Sequence, residues 1–104
     1  MSTKWDIVLV SFPFREDSTR SKTRPCVIID IDSKSSEYVL AGISKSPRGT
    51  STEYPVKYCK QANLDEGSVI MTDHIVRVLP AKDFTQVGRL DKTDRVSLIR
   101  LMSQ

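Results

Sequence analysis

Three short polar constellations interrupt the apolar stretches of this 104-residue sequence, and each carries side chains that could do chemistry. The first is Lys22-Thr23-Arg24-Pro25. Pro25 fixes its own backbone φ and biases Arg24 toward extended geometry, so the guanidinium is anchored at its base. Its planar fork of donors suits phosphate oxygens, although an arginine before a proline is more often an ordinary solvated junction residue. The second is Ile43-Ser44-Lys45-Ser46, a hydroxyl and a cation where an apolar stretch gives way to a polar one. A serine there is either a hydrogen-bond donor to a substrate or the first residue of a turn. The third is Thr72-Asp73-His74 inside "SVIMTDHIVRV". His74, the one histidine, titrates near neutrality when unperturbed and is a candidate proton carrier beside Asp73. The bland alternative is an alternating strand in which one of the pair faces water.

The commoner catalytic sets are missing. There is no GxSxG and no HExxH, and 4 glycines in all leave no phosphate-cradling loop. Cys26 and Cys59 have neither CxxC spacing nor a His/Cys set around them; Cys26 reads as core and Cys59 as a free thiol. No metal and no cofactor is expected.

The elements that must position these residues are mostly strands. "DIVLVSFPF" predicts a first strand from Trp5 to Phe12, and the polar "REDSTRSKTR" of residues 15–24 a mobile loop. "PCVIIDID" is apolar enough to imply a strand buried on both faces. "EYVLAGISK" predicts a third strand and "EYPVKY" a short fourth whose Pro55 suggests an edge. "CKQANLDEG" reads as turn, and "SVIMTDHIVRVLP" as one long or two consecutive strands. Close strand spacing with polar loops points to a small, strongly bent barrel. In "GRLDKTDRVSLIRLMSQ", Leu90, Val96, Leu98, Ile99, Leu101 and Met102 fall mostly on one helical stripe. Asp91 can serve as N-cap, and Asp94 adds negative charge to the first turn. A C-terminal amphipathic helix packed on the barrel is expected.

Length and composition set the frame. A single domain over residues 1–104 is expected, with 38% hydrophobic and 28% charged residues in the range of globular chains. The formal charge of +3 permits a polyanionic partner without demanding one. No apolar run approaches the length of a membrane span, and the N-terminus lacks the features of a secretory signal, so a cytoplasmic protein without membrane contact is expected.

In order along the chain, "DIVLVSFPF", "KTRPCVIID", "LAGIS", "GSVIMTDHIVRV" and "VGRLDKTDRVSLIRLM" resemble the MazF/PemK family of toxin ribonucleases from bacterial toxin-antitoxin systems. The Asp-aliphatic opening, the Arg-Pro before an aliphatic strand and the "GRL" before the last helix carry the likeness. The resemblance implies a small SH3-like β-barrel with a C-terminal helix, a homodimer and an antitoxin partner. It also implies metal-independent cleavage of single-stranded RNA such as mRNA, by ribose 2′-hydroxyl attack. By motif position Arg24, Ser44 and Asp73 would be catalytic; His74 joins them on chemistry, since many relatives carry Gln there. Arg15, Arg20, Lys22 and Lys45 would track the RNA backbone, with Phe14 a base-stacking face. Most relatives open with Gly-Asp where this chain has Trp5-Asp6, a departure bearing on backbone geometry at the strand start. The alternative reading is a degenerate relative that binds RNA or an antitoxin-like peptide without cutting.

Overall fold

The computed structural model describes residues 3–13, 21–79 and 84–104, without the side chains at 12, 13, 21 and 22. Its elements are β1 (Asp6–Pro13), β2 (Ser21–Ile31), β3 (Tyr38–Ser44), β4 (Glu53–Pro55), β5 (Val69–Val78), β6 (Thr85–Arg89) and α1 (Lys92–Met102). Among the described residues the strands form one antiparallel sheet of six in the order β4-β5-β3-β2-β1-β6. The mainly β architecture with a C-terminal helix is as expected; β4 and β6, the two edges, are not hydrogen-bonded to each other, so the sheet is not closed into a barrel.

The apolar run of β2 is buried on both faces, as its composition implies. Cys26 and Ile28 pack with Val8, Tyr38 and Leu40 on one side, while Val27 joins Ile7, Ala41, Ile43 and Ile70 on the other. The alternation of Ile7 with Val8 and of Leu40 with Ala41 between the two clusters is the period-two signature of a sheet covered twice. The second of these clusters also takes Leu98 of α1 and Val56, Cys59 and Ala62 of the segment after β4.

Two expectations are corrected, and one strand was not foreseen. β2 begins at Ser21, so Lys22, Thr23 and Arg24 are strand and not loop; they pair with Phe12, Ser11 and Val10. A ladder with β1 is made by backbone groups and does not require apolar side chains. β4 stops at Pro55, which cannot donate to a ladder, and lies at the sheet edge as Pro55 suggests. β6, which its polar "TQVGR" sequence conceals, is created by pairing with Asp6–Leu9.

The helix is also turned from its expected face. Asp91 caps it, accepting from Thr93 N at 2.9 Å. Its buried side chains are Asp94 and Leu98, while Val96, Ile99 and Met102 are 51%, 48% and 42% exposed. Asp94 is sealed from solvent, and its carboxylate accepts from Tyr54 Oη at 2.5 Å, Lys57 N at 2.9 Å and Tyr58 N at 3.0 Å. Hydrogen bonds to a charged group contribute about 1.5–3 kcal/mol each, so three of them outweigh the gain from turning a further apolar side chain inward.

Two motif residues are structural. Asp6, 3% exposed, pairs with Arg89 at 2.6 Å directly across the β1–β6 ladder and accepts from Thr3 N at 2.8 Å. Trp5 keeps a left-handed φ of 76°, a conformation that a glycine adopts without strain. Its N–H donates to Ile28 O at 2.7 Å and its carbonyl accepts from Leu90 N at 2.9 Å, while the ring packs on the core. These contacts offset the cost of the backbone.

Gly88 in β6 admits the carbonyl of Ala62; a Cβ there would lie 2.0 Å from that oxygen. Gly88→Ala is therefore expected to cost about 2 kcal/mol by overpacking. Asp94→Ala, which strands three donors, is expected to cost about 3 kcal/mol or more. Urea unfolding measures both, and a loss under about 1 kcal/mol for Asp94→Ala would remove its assigned role.

Candidate functional site

An open cleft of about 540 Å³ lies where the end of β3 meets β2. Its cationic wall is Thr23, Arg24 and Pro25 of β2 with Ser44, Lys45 and Ser46 from the end of β3. Antiparallel pairing sets Cys26 against Gly42, and the same register carried two residues further brings Arg24 level with Ser44. Two constellations twenty residues apart in sequence thus become one. Arg24 is half-buried, on backbone held by the ladder to Val10.

The Ser44 hydroxyl is oriented by its own turn, accepting from Ser46 N at 3.0 Å and donating to Ser46 O at 3.4 Å. Beyond it, the carboxylate of Glu53 gathers the N–H groups of Arg48, Gly49 and Thr50 at 2.9, 2.8 and 3.3 Å. These donors, Arg48 N first, hold the Glu53 carboxyl below its usual range against a smaller opposing effect of desolvation. Cys26, under Arg24, is pushed up to about 12 by burial, with the nearby guanidinium pulling the other way. It is a core thiol, as expected, and Cys59 is likewise free and buried.

The rest of the lining includes Asn63, Leu64, Asp65 and Ser68, with Leu9 and Val87 as apolar members. None of these residues is legible as functional in the sequence, where "CKQANLDEG" reads only as turn. The nearest signal is Gly88, since a glycine inside a strand often marks a close backbone approach. Asn63 adopts φ 60° and its Nδ2 donates to Val87 O at 2.8 Å. The Asp65 carbonyl accepts from Ser68 Oγ at 2.6 Å and Ser68 N at 3.2 Å, and Lys45 Nζ lies 3.4 Å from Asp65 Oδ2.

The structure brings Arg24, Ser44 and Lys45 together and leaves Asp73 and His74 outside this lining. Those two sit where the β3–β5 register breaks: Ile43 pairs with Ile70, but Ala41 with Ile75, so residues 71–74 have Gly42 alone opposite them. The polar triplet in an apolar strand is thus a bulge, which bends β5 and re-aims its side chains. Phe14, Arg15 and Arg20 lie outside the described residues, as does the side chain of Lys22. Among the described residues no three His, Cys, Asp or Glu side chains are grouped to hold a metal ion, and no helix is long and apolar enough to cross a membrane.

Comparison with known proteins adds a family match. Residues 3–101 match the model of the PemK-like, MazF-like toxin of type II toxin-antitoxin system. No curated protein matches the sequence. The crystal structure of MazF from Deinococcus radiodurans is similar with a TM-score of 0.73 at 11% identity, covering 98% of this chain and 93% of that one. The MazE-MazF structure from the same organism gives 0.72 at 10% identity, covering 98% and 92%. Mycobacterium tuberculosis toxin MazF-mt6 gives 0.66 at 22% identity, covering 92% of each chain. At these identities the structural likeness establishes the fold.

The Glu53 geometry makes a pH prediction. Because the folded pKa is depressed, the ordering of residues 48–50 is complete above the ordinary glutamate value of 4.5 and is lost as pH falls through the lower folded value. The amide signals of Arg48, Gly49 and Thr50 in an NMR titration are expected to stay constant down to that value and to move together below it. An inflection at or above 4.5 would contradict the arrangement.

Proposed function

The chain belongs to the PemK-like, MazF-like toxin family of type II toxin-antitoxin systems, and from that premise we propose that it is the toxin of such a pair, cutting single-stranded RNA without a metal. The observation that carries the proposal is the convergence of Arg24, Ser44 and Lys45 on one open cleft. In the reaction the ribose 2′-oxygen forms a bond to the adjacent phosphorus as the bond to the 5′-oxygen breaks. The products are a 2′,3′-cyclic phosphate and a 5′-hydroxyl. Negative charge builds on the non-bridging oxygens, where the Arg24 fork supplies donors and Ser44 another. Lys45 holds the phosphate electrostatically. The 2′-hydroxyl gives up a proton and the 5′-oxygen gains one. His74 is proposed as its carrier on chemistry, and His74→Gln is then expected to slow cleavage and change the pH dependence of the rate.

The rest of the proposal follows the family. The bent six-stranded sheet is read as an SH3-like barrel left open between its edges, and the protein as a cytoplasmic homodimer. An antitoxin partner is supported by the fold it shares with the MazF of a MazE-MazF structure.

A second reading, a relative that binds RNA or an antitoxin-like peptide without cutting, is favoured by one observation: the Asp65 carboxylate lines the same cleft and would repel a phosphate. Incubation with a long unstructured RNA in EDTA separates the two. Discrete fragments ending in 2′,3′-cyclic phosphate are expected from the wild type. Arg24→Ala should slow cleavage about a thousandfold and Ser44→Ala about a hundredfold, with melting temperatures unchanged. Undiminished cutting by Arg24→Ala would end the assignment; bound but intact RNA would establish the second reading.

A further inference from the structure

Asp65 is anomalous in a cleft that otherwise suits a polyanion. It is a carboxylate in the same lining as Arg24 and Lys45, and a phosphate cannot approach it without like-charge repulsion. We infer that the Asn63–Asp65 wall reads a nucleobase, and that Asp65 selects guanine beside the phosphate held by Arg24. The inference rests on the ribonuclease reading and names the substrate feature that reading leaves open.

A base-reading group must be fixed in place, and this segment is fixed from three sides. The Ala62 carbonyl is seated against Gly88, where there is no room for a Cβ. Asn63 is tied to Val87 O by its Nδ2, which leaves its Oδ1 as an acceptor. The Asp65 carbonyl is held by both donors of Ser68, itself 1% exposed. The Asp65 side chain projects, 70% exposed, with Lys45 Nζ at 3.4 Å. So long and solvated an ion pair is weak, and it gives way readily to better-aligned donors.

An ionised carboxylate accepts and never donates, so it discriminates by the donors a base presents. Guanine alone among the four RNA bases sets two N–H donors side by side on its Watson–Crick edge, N1–H and N2–H, matching the two carboxylate oxygens. Unstacked bases in single-stranded RNA expose that edge. When guanine takes Asp65, Lys45 is released toward the phosphate, so one exchange coordinates both walls.

The test compares wild type and Asp65→Asn on a single-stranded RNA pool in EDTA, reading cut positions by sequencing and retention by filter binding. The wild type is expected to cut with guanine at one constant position relative to the break. Inosine there, which lacks the N2 amine, should slow cutting about tenfold. Asp65→Asn should lose both the guanine preference and the inosine penalty. Cutting without a constant guanine, or an unchanged preference in Asp65→Asn, overturns the inference while leaving the ribonuclease standing. A uniform loss of rate across all sequences in Asp65→Asn, matched by Lys45→Gln, also overturns it, since Asp65 would then serve only to hold Lys45. If RNA stays intact, the ribonuclease reading fails, and the guanine-to-inosine ratio in retention still decides Asp65: a ratio near one overturns the inference, and one lost on Asp65→Asn supports it.

Discussion

The buried carboxylate of Asp94 is the constraint on which the rest of the molecule depends. It lies in the first turn of α1, yet its three partners belong to β4 and the turn that follows, Tyr54, Lys57 and Tyr58. A charge sealed from water is tolerable only when its acceptors are filled, and here they are filled by a phenol and two backbone amides. The arrangement does two jobs at once. It fixes the rotation of the helix, so that Leu98 enters the core and Val96, Ile99 and Met102 do not, and it fixes the path of the chain leaving β4. Desolvation and the hydrogen bond to Asp94 push the Tyr54 hydroxyl up to about 12, so it donates throughout the neutral range.

From that anchored turn the chain runs to the cleft. Val56, Cys59 and Ala62 bury themselves against the sheet, the Ala62 carbonyl meets Gly88, and Asn63 to Asp65 emerge as one wall. The other wall owes nothing to this path. It is made by the β2–β3 pairing, whose register carried on from Cys26 and Gly42 would set Arg24 level with Ser44, and by the turn after Ser44. The site is therefore the meeting of two independently built surfaces, one rigid by pairing and one rigid by packing. Their chemistry differs accordingly, with cations on the paired wall and acceptors on the packed one. Such a division suits a polymer whose backbone is anionic and whose bases carry hydrogen-bond donors.

Local chemistry was enough for much of the fold. The apolar runs specify β1, β2, β3 and β5, the continuous run of β2 specifies burial on both faces, Pro55 specifies an edge, and Asp91 specifies a helix start, because period, β-branching and capping act over a few residues. Arg24 and Ser44 could be singled out for the same reason, as polar side chains beside apolar runs, while their proposed catalytic roles come from the family resemblance. What tertiary structure decided was everything set by distant partners. β6 exists because Asp6–Leu9 offers it a ladder. Lys22–Arg24 is strand because Val10–Phe12 pairs with it. Asp94 is inside because Tyr54 and two amides receive it. Asn63 and Asp65 line a cleft because Gly88 lets the chain come close. Sequence determined which residues could do chemistry, since that belongs to side-chain type; only the register and the docking of one turn determined which of them face each other, since those are contacts between residues with no sequence proximity.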